Sequence, residues 1–407
     1  MIRKQFNMPS AVKNELIQKL LANRISRDEL DVLRAEIDEI DLANIIQQIY
    51  DLNIEQVRKL AALAPVMSWV DKLKNSRRNH LFVKKVKANF RKHIAKKNGL
   101  KNRVIVVEGD SWFNYPVLLS DVIDWISMEE NMAVYSVASG GDWLLNMISA
   151  KKYVEHLSTL QPDVFIISGG GNDLVGNNRI AAMVTHLADS NEFEHSEFAQ
   201  YLFKTASRPL NGQQLADFKD GAKFISKDFY ALLGFFQLQY YFLINGILNS
   251  GKNEPATSKF PGIQIITQGY DYAIPNDQRW VGLNPFKWYR TFARTFLGHG
   301  SWLKTPLQLR GIYDSGDQRK IVFAMIFLFN EMMIDIGRIF KERLGENRVF
   351  HIDSRDSVGE NGWTDELHPL PAHFKETSQA FIQCINNPDK TGDAVIRVTD
   401  LNKENKP

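Results

Sequence analysis

Apolar residues recur at helical spacing through Leu16, Leu20, Leu21, Leu30, Leu33, Ile37 and Ile40, so residues 1–71 read as a domain of short helices. Ser26 followed three positions later by Glu29 has the form of a capping box opening the second of them. Near residue 72 the pattern changes: Leu81, Phe82, Val86, Phe90 and Ile94 interleave with lysines and arginines, which predicts a basic amphipathic helix or linker over 72–102. From Arg103 onward, short apolar runs at 104–107, 133–137, 164–168, 263–268 and 349–353 alternate with helical stretches. Continuous apolar strands separated by helices predict a five-stranded parallel sheet with helices on both faces, a three-layer α/β domain over 103–386.

Two segments exceed the usual strand-to-strand connection, at about 177–261 and 277–316, and connections of that length commonly carry a cap or binding loop. Between Phe224 and Trp302 fall 18 of the chain's 45 aromatic residues, and runs such as Phe235-Phe236 and Tyr240-Tyr241-Phe242 exceed what one buried helix face hides. They suit an apolar groove or a lid that touches a membrane. The stretch 229–249 approaches a membrane span in length, but Gln237, Gln239, Asn245, Asn249 and two glycines favour a buried amphipathic helix. Residues 387–407 read as a polar tail.

Composition narrows the class. With 407 residues and 44% hydrophobic content the chain can build a sizeable core, and a net charge of +3 favours no particular partner. Its distribution matters more: no acid lies between Asp71 and Glu108, while thirteen Lys or Arg lie between Lys72 and Arg103. Such a stretch would suit an anionic membrane surface over 72–103, or simply pack against the next domain; nucleic acid ranks last among its readings. One cysteine, Cys384, excludes an intramolecular disulfide and a Cys-rich zinc module. The N-terminus lacks the apolar core of a secretory signal, so a cytoplasmic protein is expected.

Ligands of open α/β sheets bind outside the carboxyl ends of the strands. Polar candidates follow four of the five predicted strands: Asp110-Ser111, Gly140-Gly141-Asp142, Asn172-Asp173 and Asp365-Glu366-Leu367-His368. A serine hydroxyl needs an adjacent base; His368 can supply it, and Asp365, three positions earlier on the same turn, can fix the imidazole. The Ser111 and Gly141 backbone N–H groups and the Asn172 amide are candidate donors to a tetrahedral oxyanion. A dinucleotide fingerprint at 169–171 fails because Leu174 replaces its third glycine, and the phosphate-loop-like run at 246–252 lacks the Ser or Thr and the following helix. His368 and His373 with Asp365 could ligate a metal, but no HExxH or paired cysteines accompany them.

Gly109-Asp110-Ser111, Gly141, Gly170-Gly171-Asn172-Asp173 and Asp365-Glu366-Leu367-His368 resemble the four blocks of the SGNH (GDSL-type) hydrolases, in the family's order, over about residues 103–385. The resemblance implies a flavodoxin-like fold and serine ester hydrolysis without metal or organic cofactor. It implies nucleophile Ser111, base His368, orienting Asp365 and oxyanion donors Gly141 and Asn172, with Asp110 and Asp173 as secondary candidates. Trp112 stands where the family usually has leucine, and the second block is degenerate, leaving Gly140 a rival for the role of Gly141. The expected substrate is an ester, an acylated lipid first and an O-acylated carbohydrate second. An interaction protein that recruits partners through residues 1–71 is the reading from another class.

Overall fold

The computed structural model describes residues 8–49, 68–87, 99–115, 120–248, 260, 262–276 and 302–404. At its centre is one parallel sheet in the order β2-β1-β3-β4-β5-β6. The strands are β1 Arg103–Gly109, β2 Met132–Ser136, β3 Val164–Ser168, β4 Gln264–Gln268, β5 Val349–Asp353 and β6 Val395–Arg397. The first five follow the flavodoxin-like order. The sheet has six strands rather than five because three residues of the expected polar tail pair with β5, and a helix, Val398–Glu404, follows them.

β3 and β5 are buried at every position, as strands of a sheet covered on both faces are. Helices Val122–Met128 and Pro371–Asn386 pack on each other in one layer, and Leu144–Ala150, Lys227–Leu248 and Ser315–Leu344 pack together in another. Asp121 opens Val122–Met128 with a capping box, and Gly345, at φ 75°, ends the 30-residue helix Ser315–Leu344. Near the N-terminus, Ser26 and Glu29 form the expected capping box.

The connection between β3 and β4 contains Lys227–Leu248, the one described helix long and apolar enough to cross a membrane, yet 78% of its most apolar stretch is buried. Phe235, Phe236 and Tyr240 are enclosed on every side, so the expectation of a groove or membrane-touching lid fails for them. The helix is not amphipathic as expected, because residues 229–240, Gln237 and Gln239 included, are all buried; it is covered by the Ser315–Leu344 helix, by Leu144–Ala150 and by the N-terminal helices Ser10–Leu21, Arg27–Glu36 and Glu39–Ile49. Leu16, Leu20, Leu30 and Leu33 thereby join the same core as the sheet. Arg34, nearly buried, donates to Gln237 Oε1 at 2.6 Å across that contact. The aromatic residues of 277–301 lie outside the described residues.

The basic segment forms the helix Ser68–Lys87, which packs against β2. Phe82 reaches Val104 and Ala133 and meets Tyr135 edge-on at 5.4 Å between ring centroids. Lys74 and Arg78 point inward, and Lys85 donates to the carbonyls of Ser127, Glu129 and Met132 at 3.1, 2.6 and 2.6 Å. Lys72, Arg77, Lys84 and Lys87 are the exposed cations of this helix, and the four basic residues of 88–98 lie outside the described residues.

Candidate active site

Register brings the candidate residues to one edge of the sheet. Gly109 ends β1 opposite Ser168 of β3, so the turn after β1 and the loop after β3 start side by side. Gly109 has no room for a side chain: a Cβ there would sit 2.5 Å from Phe113 and 3.0 Å from the Ser168 carbonyl. That close approach folds the turn back on β3 and lifts Ser111 to the sheet's upper edge, where it is half-buried.

Ser111 Oγ lies 2.7 Å from His368 Nε2, and His368 Nδ1 lies 3.0 Å from both Asp365 carboxylate oxygens. Asp365 Oδ1 also accepts the backbone N–H groups of Leu367 and His368, each at 2.8 Å, so the turn holds its carboxylate before it meets the ring. Burial works against that charge, but the neighbouring His368 and these hydrogen bonds more than offset it and keep the Asp365 carboxyl below its ordinary range. The hydroxyl of Tyr115 donates to the other oxygen at 3.2 Å, and its ring packs 4.6 Å from the imidazole. A hydroxyl, a base and an anchored carboxylate are thus in continuous hydrogen-bonding contact. That arrangement can deprotonate the hydroxyl as it attacks a carbonyl carbon.

Asn172 stands beside Ser111 in the wall of the same cavity. One hydrogen of its amide goes to the Asp142 carbonyl at 3.1 Å, which ties the loop after β2 to the loop after β3 and leaves the second for a ligand. Arg179 holds Asn172 from behind, donating to its carbonyl at 2.9 Å and lying 3.4 Å over the Trp143 ring. Gly141, at φ 84°, is exposed on the β2 loop, and Gly140 is buried. Neither glycine lines the cavity, so the structure brings Asn172 to Ser111 more directly than it brings Gly141.

The secondary candidates are buried props. Asp110 accepts the Trp112 N–H at 3.1 Å through Oδ1 and the Tyr270 hydroxyl through Oδ2. Tyr270 in turn accepts the Gly171 N–H at 2.9 Å, so one phenol couples the serine turn to the asparagine loop. Asp173 accepts the Leu144 N–H at 3.0 Å. Trp112 is buried, donates its indole N–H to the Leu367 carbonyl at 3.1 Å and meets Tyr270 and Phe374 edge-on. Tyr115, Tyr270 and Glu366 were missed in the sequence. The Gly-Tyr-Asp run straight after β4 was the available signal for Tyr270, since it occupies the same edge as the four recognised blocks. Glu366 lies inside a recognised block; its carboxylate accepts the N–H groups of Asn276, Leu303 and Lys304 at 3.1, 3.0 and 2.9 Å and fastens the cavity rim.

Burial pushes Asp110 and Asp173 up to about 6, with the bond from Tyr270 and the bond from Leu144, respectively, opposing the rise. An unfolded aspartate ionises near pH 4, so the native state holds these protons longer. Stability is therefore fully present below about pH 4 and falls as the pH rises through about 6, by on the order of 3 kcal/mol per group. Asp173→Asn, whose amide oxygen can still accept the Leu144 N–H, should match wild type in urea melts at pH 4. At pH 8 it should exceed wild type by about 1–3 kcal/mol.

Apolar side chains close the rest of the cavity, which encloses about 590 Å³ of empty space with its mouth included. Leu174, Val175 and Ile180 follow β3, while Val322, Met325 and Ile326 come from the Ser315–Leu344 helix. Among the described residues, no group of three or more His, Cys, Asp or Glu is arranged to hold a metal ion. His373 is engaged with Glu376 at 3.0 Å.

No protein-family model matches the chain, and no curated protein matches it in sequence. Solved structures give distant likenesses. A catalytic mutant of Axe2, an acetylxylan esterase from Geobacillus stearothermophilus, is 10% identical, with 70% of this chain and 94% of that one covered and a TM-score of 0.30. The extracellular lipase from Streptomyces rimosus is 12% identical over 66% of this chain and 93% of that one, with a TM-score of 0.31. Phospholipase A1 from Streptomyces albidoflavus is 14% identical over 67% of this chain and 94% of that one, with a TM-score of 0.30. Likenesses of this size carry no argument about what the chain does; its own residues do.

Proposed function

We propose that the chain is a serine-dependent carboxylic-ester hydrolase of the SGNH type, acting on an ester with an apolar acyl chain, an acylated lipid first. The observation that carries this is the contact of Ser111 Oγ with His368 Nε2 at 2.7 Å, with Asp365 on the far side of the ring. Ser111 Oγ attacks the ester carbonyl carbon as its proton passes to Nε2, and Asp365 stabilises the imidazolium. The oxyanion is met by the Asn172 amide and the Ser111 N–H, which stand together at the cavity, with the Gly141 N–H on the neighbouring loop as the third donor the resemblance implies. Collapse expels the alcohol, which takes the proton from His368. Water, activated by the same imidazole, then releases the acid and restores Ser111.

The acyl part of the reading rests on the cavity wall. A chain lying along Val322, Met325 and Ile326 gains about 0.8 kcal/mol per buried methylene, whereas an acetyl group would leave that wall bare. The second reading, a carbohydrate O-acyl esterase, draws on Trp302, whose half-buried ring lies 6.1 Å from that of His368 and offers a stacking face. A recruiting role for the N-terminal helices would have to use their outer residues, such as Val12, Val32 and Ile40, since the inner faces cover the Lys227–Leu248 helix.

Hydrolysis of p-nitrophenyl esters from acetyl to palmitoyl tests the reading, with a fluorophosphonate as covalent probe. Turnover rising beyond acetyl, with the phosphonate found on Ser111 by mass spectrometry, is the expected result. Turnover confined to acetyl would move the assignment to the sugar ester, and no labelling of Ser111 would defeat both. Ile326→Trp should fill the cavity and remove room for two or three methylenes. Its preference for octanoyl over acetyl should fall about 30-fold, with acetyl turnover kept within a few-fold of wild type.

A further inference from the structure

Four side chains of the Ser68–Lys87 helix, arranged as two pairs one turn apart, end on the two loops that carry the candidate site. Arg78 is 1% exposed: Nη1 donates to the Phe113 carbonyl at 2.8 Å, Nη2 to both oxygens of Asp121 at 2.6 Å, and Nε to Asp124 at 2.8 Å. Lys74, one turn earlier, donates to the Tyr115 carbonyl at 2.9 Å and to Asp121 at 2.6 Å. Asp121 also accepts the Tyr115 N–H at 3.1 Å, so both sides of that residue's backbone are held. Phe113 and Tyr115 follow Ser111 by two and four positions, and Tyr115 is the residue whose hydroxyl reaches Asp365.

The second pair holds the other loop. Asn75 donates to the Ala138 carbonyl at 2.8 Å, and Asn114 reaches the same oxygen at 3.0 Å. Asn79 exchanges two bonds with the Ser136 backbone, at 2.9 and 3.1 Å. Ala138 is two residues before Gly140 and three before Gly141. Adjacent faces of one helix thus fix the exit of the serine turn and the entry of the Gly140-Gly141 loop.

We infer that this helix is a positioning element for the ester chemistry proposed above, on which the inference rests, and that Arg78 is its principal positioning residue. The guanidinium fork reaches one carbonyl and two carboxylates at once; a lysine ammonium has no such planar fork. Displacing the Phe113 carbonyl shifts Ser111 relative to His368 and Tyr115 relative to Asp365 together. A misplacement of about 1 Å at reacting atoms can cost up to about 100-fold in rate.

The test compares wild type, Ser111→Ala, Arg78→Lys, Asn75→Ala and Arg34→Lys as full-length chains on the ester wild type turns over best. Arg34 is also a nearly buried arginine, but it contacts Gln237, away from both loops. Arg78→Lys should lower kcat about 30-fold with KM within twofold. Arg34→Lys should keep kcat within twofold of wild type, whatever its melting temperature. Asn75→Ala should lower kcat about threefold to tenfold, again without moving KM. Unchanged kcat in a folded Arg78→Lys overturns the inference; where that variant fails to fold, unchanged kcat in Asn75→Ala does so. An equal fall in Arg34→Lys also overturns it, since the effect would then be general instability. Turnover that persists in Ser111→Ala defeats the underlying ester chemistry instead, which separates the two failures.

Discussion

Replacing Ser111 with alanine should lower ester turnover by about 10⁴-fold or more while leaving the fold intact. The hydroxyl is half-buried and bonded to His368, so its loss opens no large void and strands no charge. The imidazole keeps its carboxylate partner and gains access to water. What disappears is the covalent route, leaving only binding and oxyanion donors to favour hydrolysis. Steady-state kinetics with a melting curve on the same samples checks this. A variant that keeps a tenth of wild-type kcat with an unchanged melting temperature would remove Ser111 from the mechanism.

Asp365→Asn should be nearly as severe, about 10⁴-fold in kcat, for a different reason. The native carboxylate accepts four groups: the Leu367 and His368 N–H, the Tyr115 hydroxyl and the ring. An asparagine oxygen can keep the two backbone bonds, so the turn survives. Its NH₂ then faces His368 Nδ1 and selects the tautomer whose proton sits on Nε2, the atom that must accept from Ser111. The base is present but holds its proton on the wrong nitrogen. Retention of kcat within tenfold would mean that Asp365 serves only the turn.

How much of this was legible depends on distance along the chain. β3 and β5 could be bounded to the residue because each is a short, largely apolar run that closes on a polar residue, Ser168 or Asp353, and is buried on both faces. β6 could not, since Val395, Ile396 and Arg397 are three half-buried residues in polar surroundings and their partner strand is what makes them a strand. The contact between Ser111 and His368 was foreshadowed because both blocks follow strands at one edge of a parallel sheet. The inward turn of Lys74 and Arg78 was not, because their carboxylate partners lie more than forty positions away, across β1. Periodicity marks an apolar stripe on that helix but cannot say which cations lie beneath it. The aromatic runs misled for the opposite reason: a helix buried on all sides gives no polar face to read.

The N-terminal helices bear on how the molecule comes into being. Leu20 lies close against Gly234, and Arg34 reaches Gln237, 203 positions later. At synthesis rates of about 5–20 residues per second, these helices wait on the order of 10–40 s for the surface they cover. Their Leu-rich faces stay open throughout that interval, and the serine turn waits longer still for His368. Activity should therefore emerge only once His368 has left the ribosome, and chains stalled before residue 230 should be those that holdase chaperones retain.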